Sequence, residues 1–441
     1  MNILWIAIQK PKGLFFLMNN DIEKDKYFLR NATSVSLVEF IWGLGIPILF
    51  ESTFLQIFLK SLGASDFIIG LAPCIFITGI STSPLLSSYL TRNQKTKKNI
   101  VMNLHFFSSL AIIFFGISLF FVTKPSYILV LFFLSYMMFS LSIGLVLPVW
   151  LNFLVKIFSE KKTVAGFGIM MGAQSLAKLI GSFLILKTIE QFELTTINAA
   201  YIFFSTGLLF LIGSSCFLFI KEISNDEILL KNNESFFHHT KNTFLEIIKN
   251  KNFLTYLLGD LDNYINITTL SFYGIYATQF FSIKSSTAAG LFVGVYCMGS
   301  ISANLLFGPL DFLKFMTLKK KYLSTKLYTI SGLLILIFYP DLKGFLFASF
   351  LFGMVRGTRS IIFSPSVKMF SNKEDATGYF AVAPLLTMAF GSGLPVIYGI
   401  MLDTLGYMHE NAYKLMFAIS ILLTILFFCF AMRTDFNKNN D

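Results

Sequence analysis

The chain is a succession of long apolar stretches, and this feature restricts its fold more than any other. Most of these stretches are about 18 to 28 residues long, which lets an α-helix cross a hydrocarbon core of about 30 Å. The sequence therefore predicts an all-α membrane protein with twelve transmembrane helices. The predicted spans are 34–59, 67–90, 100–122, 126–155, 164–187, 197–220, 252–281, 288–313, 327–339, 343–370, 377–402 and 411–432.

The composition supports a membrane protein and excludes a soluble one. Hydrophobic residues make up 55% of the chain and charged residues only 13%, a balance that soluble domains do not have.

The net charge of +11 follows membrane topology and does not indicate nucleic-acid binding. Basic residues concentrate in both termini and in alternate loops, whereas each opposite loop carries one lysine. Those single lysines are Lys60, Lys124, Lys187, Lys284, Lys343 and Lys414. Both termini are therefore predicted to be cytoplasmic, in a multi-pass protein of the cell (inner) membrane.

A long polar interval divides the spans into six and six, and the halves resemble each other. "FSEKKTVAGFGIMMGAQSLAKLIGS" (158–182) aligns without gaps on "FSNKEDATGYFAVAPLLTMAFGSGL" (370–394). This internal duplication predicts two pseudo-symmetric halves. The predicted organisation is a cytoplasmic N-terminal segment (1–32), an N-terminal six-helix half (33–220), a cytoplasmic linker (221–251), a C-terminal six-helix half (252–432) and a cytoplasmic tail (433–441).

Topology, duplication and one loop together resemble the major facilitator superfamily of secondary transporters. In the loop "PLLSSYLTRNQKTKK", Arg92 and the lysines after it match the family's signature between spans two and three. Pro84, Ser88 and Thr91 stand where the family has Gly, Asp and Gly, so the carboxylate with which the family latches that side is replaced by a serine. The resemblance covers residues 33–432. It implies that spans one, four, seven and ten surround a central cavity, and that the halves rock about it.

Few charged residues lie inside the predicted spans, and each is a candidate functional residue because a charge at the bilayer centre costs at least about 2.5 to 3.5 kcal/mol. They are Glu39, Glu51, Lys178, Asp260, Asp262, Arg356 and Arg359. Arg356 and Arg359 are three residues apart and share one helix face. A guanidinium group binds carboxylate or phosphate through two parallel hydrogen bonds. We therefore predict that these arginines bind an anionic group of a solute, with a helix-locking ion pair as the alternative.

A polar stripe runs along the predicted seventh span. Its members recur at helical spacing, at Asp262, Asn266, Thr269, Tyr273 and Tyr276. The resemblance turns this span toward the cavity, so the stripe is predicted to bind solute. Asp262 and Arg359 are predicted at similar depth, where they could pair or share a solute.

The acids are candidates for coupling to protons, because burial favours the neutral form of a carboxyl group. Glu39, Glu51 and Asp262 are the proton-coupling candidates. Lys178, Asp260 and Arg92 are candidates for gating or for ion pairs, with Lys178 a possible partner of Glu51. A sodium site is not recognisable in the sequence.

No motif of an enzyme or of a cofactor site is present. The sequence contains neither a nucleotide-binding glycine loop nor a zinc-protease or serine-hydrolase motif. Asp260 and Asp262 are two apart on a helix and point to different faces, so they do not form a catalytic dyad. The four cysteines show no paired spacing. We expect no enzymatic activity, no cofactor and no metal.

These features favour a monomeric secondary transporter that moves a small polar solute, anionic or zwitterionic, by symport or antiport with alternating access. Protons or Na⁺ are the possible coupling ions, and the lipid bilayer is the other partner. Two alternatives stay open: a drug or lipid exporter in which the arginines only gate, and a membrane receptor or assembly protein that has lost transport.

Overall fold

A computed structural model describes residues 22–50, 53–91, 94, 96–159, 162–192, 194–223, 236–308, 316–372 and 376–436. The described residues are almost entirely helical, and we number fifteen α-helices in chain order. They are α1 Phe28–Leu49, α2 Phe54–Ser61, α3 Asp66–Thr91, α4 Lys98–Ser118, α5 Pro125–Ile157, α6 Thr163–Phe192, α7 Thr196–Ser215, α8 Phe236–Lys249, α9 Lys251–Gly259, α10 Asp262–Phe280, α11 Phe292–Phe307, α12 Leu318–Phe338, α13 Leu342–Ser371, α14 Thr377–Thr404 and α15 Glu410–Arg433.

Ten helical segments within the described residues are long and apolar enough to cross a membrane. They correspond to ten of the twelve predicted spans. The predicted seventh span is covered by α9 and α10, and the predicted ninth by α12. The seventh does not qualify because it is divided into α9, of 9 residues, and α10, whose 19 residues begin with polar side chains. The ninth does not qualify because lysines crowd the start of α12. The all-helical membrane architecture is confirmed, while the count of twelve stays a prediction.

Two predicted spans are interrupted. The first is divided into α1 and α2, with Pro47 inside the last turn of α1. Proline lacks an N–H donor and crowds the preceding turn, which ends or bends a helix. The seventh is divided between Gly259 and Asp262, where α9 ends and α10 begins. Helix ends leave backbone groups without helical partners, so such breaks place polar groups inside the bundle.

The helices pack closely within each predicted half. In the first half α1 packs on α6, α3 on α5, and α4 on α7; in the second α11 packs on α13, and α12 on α13 and α15. Glycines permit the closest approaches: a Cβ at Gly353 would collide with the backbone of Tyr296, and one at Gly116 with that of Phe204. Small residues at such crossings let helix backbones meet in a membrane.

The glycines of the predicted first, fifth and eleventh spans differ in what surrounds them. Gly43 lies against Gln174 and Ala177, and Gly391 against the ring of Tyr264. Gly168, Gly172 and Gly393 face open space instead, with no neighbouring atom within 4 Å of an added Cβ. At these three positions no other helix covers the helix surface in this conformation.

Candidate functional site

The break between α9 and α10 places Asp260 against α13. Arg359 donates from Nη2 to Asp260 Oδ2 at 2.8 Å and from Nε to the same oxygen at 3.0 Å and to Oδ1 at 3.2 Å. Asp260 is buried, while the Arg359 side chain keeps 19% of its surface exposed. The guanidinium also lies over the Phe363 ring, 4.6 Å from its centroid. The tenth-span arginine is thus held by a carboxylate and an aromatic ring on one side, and still reaches open space.

Two residues farther along, Asp262 has a different partner. Its Oδ1 accepts from the Lys326 ammonium at 2.9 Å, and both side chains are almost completely buried. Lys326 also donates to Thr325 Oγ1 at 3.1 Å and lies 3.7 Å from the centroid of the Tyr322 ring. The second oxygen of Asp262 is buried without a hydrogen-bond partner. Asp260 and Asp262 therefore point to different faces, as their spacing predicts, and Asp262 does not pair with Arg359.

Lys326 was missed as a site residue by sequence reasoning. The predicted ninth span begins just after it, at residue 327, whereas α12 begins at Leu318 and carries Lys326 into the bundle. The signal that could have found it is a lysine directly before a run too short to span. Because a buried lysine without a counter-charge is costly, its position implied a partner such as Asp262.

The rest of the seventh-span stripe lies inside the second predicted half. Asn266 donates from Nδ2 to the Phe352 carbonyl at 3.2 Å, and the Tyr273 hydroxyl lies 3.0 Å from Ser349 Oγ. Thr269 is buried, and Tyr276 stacks on Tyr413 with centroids 5.3 Å apart. The structure therefore brings this stripe against α13 and α15, and Arg356 is half-buried on α13. A role of the stripe in solute binding stays a prediction.

The first half carries its own charged group. The side-chain amide of Gln174 on α6 donates to Glu39 Oε2 on α1, and Lys178, one turn beyond Gln174, acts on Glu39 electrostatically. The close approach of Gly43 to Gln174 brings the two helices together. Glu39 is buried, whereas Gln174 and Lys178 are half-buried. Lys178 was predicted to partner Glu51; Glu51 and Arg92 lie outside the described residues.

One region in which the two predicted halves meet lies at an end of the bundle. We call the end at which α3 begins and α14 ends the far side, and the opposite end, where α1 begins and α15 ends, the near side. Asp403, near the end of α14, accepts from the backbone N–H groups of Asp66 at 2.8 Å and Phe67 at 2.9 Å. A carboxylate at a helix N-terminus is favoured by the unpaired N–H groups and the helix dipole there.

Further contacts, one within the first half and one between the halves, surround Asp403. Lys60 donates to Asp66 Oδ1 at 2.9 Å, and the Tyr413 hydroxyl lies 3.5 Å from Asp66 Oδ2. Neither Gly70 beside Pro395 nor Gly399 beside Asp66 leaves room for a Cβ. The sequence reasoning did not single out Asp66 or Asp403, since both lie at span ends where a charge is ordinary.

A second cross-half contact lies on the same far side. The Thr53 hydroxyl, just before α2, donates to the Ala288 carbonyl in the π-helical turn Thr287–Leu291 that precedes α11. A Cβ at Gly290 would meet the backbone of Leu186 on α6. Helices of both halves thus pack directly on the far side, which closes that side of the bundle.

Metal-binding side chains are not grouped: the described part of the chain contains no cluster of three His, Cys, Asp or Glu residues placed to hold an ion.

Solved structures with the same arrangement of helices are transporters. The crystal structure of a mutant of the nucleoside transporter NupG covers 90% of this chain and 99% of its own, with a TM-score of 0.70 at 14% identity. A POT family transporter in complex with 5-aminolevulinic acid covers 92% of this chain and 96% of its own, with a TM-score of 0.66 at 15% identity. A bacterial homologue of the human lysosomal transporter Spinster, in an inward-facing and unoccupied conformation, covers 93% and 96%, with a TM-score of 0.60 at 12% identity.

These likenesses extend over nearly the whole chain and over nearly the whole of each transporter. Neither a family model nor a curated protein matches the sequence itself. At such low identity the likeness establishes the architecture and not the solute. The chain has the fold of the major facilitator secondary transporters, as its topology and duplication predict.

Proposed function

We propose that the protein is a secondary active transporter that moves a small polar solute, anionic or zwitterionic, across the membrane by alternating access. One observation carries the proposal: Arg359, charged and partly open, is held by Asp260 at a helix break in the predicted seventh span of a transporter fold. Charges are kept at such depth when they face a cavity, a partner or a substrate. In this fold the seventh and tenth spans face the central cavity, so the pair is positioned to meet a solute.

The charges favour a zwitterion over a simple anion. Asp260 occupies Nε and one Nη of Arg359, which leaves part of the guanidinium for a carboxylate. In the first half, Lys178 lies near enough to Glu39 to attract it electrostatically. A site that offers an acid and a base in each half satisfies a solute carrying both charges. Arg356, on the same face of α13, adds a further positive charge for the anionic end.

Glu39 is the strongest of the three proton-coupling candidates. Its carboxylate is held by the neutral amide of Gln174, whereas Asp262 is held directly by the Lys326 ammonium. Protonating Asp262 would leave a buried lysine without a counter-charge, which is strongly unfavourable. Protonating Glu39 loses only a hydrogen bond and a weaker electrostatic attraction. Glu51 remains a candidate from sequence alone.

The far-side contacts correspond to one state of the transport cycle. Alternating access closes one side at a time, so we infer that the cavity opens to the near side while Asp403 and the Thr53 contact hold the far side closed. The positive-inside distribution predicts that the near side is cytoplasmic. We infer an inward-facing state, and transport requires that the Asp403 contact break and re-form in each cycle.

The proposal is tested by a thermal-shift screen followed by flux measurements. The purified protein is incubated with anionic, zwitterionic, sugar and cationic hydrophobic solutes, because a ligand raises the unfolding temperature of the state that binds it. The active class is then measured as uptake into reconstituted vesicles. We expect a shift from zwitterionic or anionic solutes that Arg359→Gln abolishes and the matched control Arg433→Gln, on the exposed end of α15, preserves.

A shift only from cationic hydrophobic compounds, unchanged in Arg359→Gln, would replace this proposal with the exporter. Absence of flux for every solute class, with a folded and monodisperse protein, would favour the receptor or assembly role.

A further inference from the structure

Helix α8 has two different long faces. On one face Ile247 is fully buried and Phe244 packs into the apolar cluster formed with α9 and α14. On the other face Lys241, Leu245, Ile248 and Lys249 are exposed at helical spacing. Leu245 and Ile248 are 46% and 44% exposed. Two aliphatic side chains between lysines are typical of a helix at a membrane surface.

A basic cleft lies where α8 ends. It has a volume of about 450 Å³ and is lined by Lys249, Asn250, Lys251, Asn252, Met369, Phe370, Asn372 and Asp435. Lys249 belongs to both the exposed face of α8 and the cleft. The Asn250 amide donates to the Phe370 carbonyl, and Asn252 bonds to the backbone of Asp435. The two asparagines therefore hold the wall of the cleft in place through hydrogen bonds. The cleft has a net positive charge because two lysines and one aspartate line it.

The cleft and the helix lie at the level where the bundle leaves the membrane. The cleft is bounded by the first turn of α9 and the last turn of α13, which are the near-side ends of predicted spans. Glu246 of α8 accepts from the Tyr379 hydroxyl at 3.3 Å, in the first turn of α14. The exposed aliphatic face is therefore at the depth of lipid headgroups and the start of the acyl chains.

We propose that the exposed face of α8 and the adjoining cleft bind an anionic phospholipid of the near-side leaflet. The phosphate is held by Lys249 and Lys251, since a phosphate close to two ammonium groups is favoured over a zwitterionic headgroup. The beginning of an acyl chain covers Leu245 and Ile248, which removes apolar surface from water. This ligand and this place differ from those of the proposed solute, so the inference stands whether or not the chain transports.

The charge requirement is tested by titrating phosphatidylglycerol or phosphatidylcholine into the purified full chain in neutral detergent and following the unfolding temperature. We expect a phosphatidylglycerol-specific rise. In K249Q/K251Q the half-saturating lipid concentration should increase roughly thirtyfold, since each lysine near a charged lipid surface contributes about a fivefold factor. The control K284Q/K343Q removes the same charge on the far side and should leave the titration unchanged. Equal responses of the two double variants, or of the two lipids, would overturn the proposal.

Two further experiments distinguish a bound lipid from a free phosphate, and both use the wild-type protein. Glycerol 3-phosphate should give no shift; if it reproduces the phosphatidylglycerol effect, the cleft binds a soluble anion and the lipid assignment is wrong. In nanodiscs, a phosphatidylglycerol carrying a diazirine near its headgroup should label residues 240–253 of the wild-type chain. Labelling that spares this peptide while marking other near-side segments would also contradict the assignment.

Discussion

At the scale of single residues, two acids at the break between α9 and α10 have different partners. Asp260 holds an arginine that remains partly open, whereas Asp262 forms a closed pair with Lys326. A buried ion pair contributes little net stability, yet removal of one partner leaves a charge that water cannot reach. The two pairs can therefore be distinguished by mutation.

Lys326→Met should destabilise the protein by about 3 to 5 kcal/mol, because it leaves Asp262 buried without its counter-charge. The double variant Asp262→Leu/Lys326→Met should recover most of that loss, since the unpaired charge is then absent. Thermal unfolding of both variants in detergent measures the difference. A double variant as unstable as Lys326→Met would show that the pair stabilises the fold by more than mutual neutralisation.

Lys97, just before α4, carries a pH-dependent prediction. Burial and the neighbouring Lys156 lower its pKa from 10.5 to about 8, against the favourable Glu222. The folded chain thus loses this proton at lower pH than the unfolded chain does, so Lys97 makes stability rise as pH increases from about 8 to about 10.5. From about pH 8 to about 10.5, the unfolding temperature of wild type should rise relative to that of Lys97→Met. The control Lys320→Met should follow wild type. Parallel profiles of unfolding temperature against pH for wild type and Lys97→Met would refute the prediction.

At the scale of elements, α3 and α14 form the principal contact between the halves. The family latches the near side with a carboxylate at the end of span two, where this chain has Ser88. Here a carboxylate at the end of α14, Asp403, meets the start of α3 on the far side. A charge at a helix N-terminus contributes about 0.3 to 1 kcal/mol. We therefore expect the balance between the two states of the proposed cycle to depend on this far-side contact.

Asp403→Asn should shift the population toward a state open on the far side, by roughly two- to fivefold, because the amide loses the charge that α3 attracts. Spin labels at exposed positions 124 and 343, one in each half on the far side, report the change as a larger fraction of long distances. Asp341→Asn is a matched control, since Asp341 caps α13 by accepting from Gly344 within the second half. Identical distance distributions in wild type and Asp403→Asn would show that the contact of Asp403 with the start of α3 does not control the conformational change.

At the scale of the whole molecule, the two halves carry charged groups of different kinds. The first half has an acid held by an amide, and the second has an acid and an arginine in direct contact. We expect the first to change its proton occupancy and the second to meet the solute. Coupling requires this division, because proton binding in one half and solute binding in the other then shift the same equilibrium between conformational states.

Glu39→Gln should still exchange solute across vesicle membranes but no longer accumulate it against a gradient. The neutral side chain resembles the protonated acid permanently, so solute movement is uncoupled from protons. Counterflow and pH-gradient-driven uptake in the same vesicle preparation separate the two activities. Accumulation at the wild-type level would exclude Glu39 as the coupling acid and leave Glu51 as the next candidate.

Local properties of the sequence were enough to predict the helical membrane architecture and most of the spans, because the bilayer selects directly for apolar length and for the charge of the loops. The sequence also identified Arg359 and Asp260 as candidate functional residues, since a charge inside an apolar run is easy to recognise. It predicted neither that these two residues pair nor that Lys326 enters the bundle.

The tertiary structure decided the partners. Whether Asp262 meets Arg359 or Lys326 depends on how α10, α12 and α13 rotate against one another, which periodicity does not specify. The far-side contact of Asp403 joins residues 337 positions apart in the chain, and no local pattern marks it. Interactions between helices are set by the packing of whole surfaces, so they appear only when all of the helices are in place.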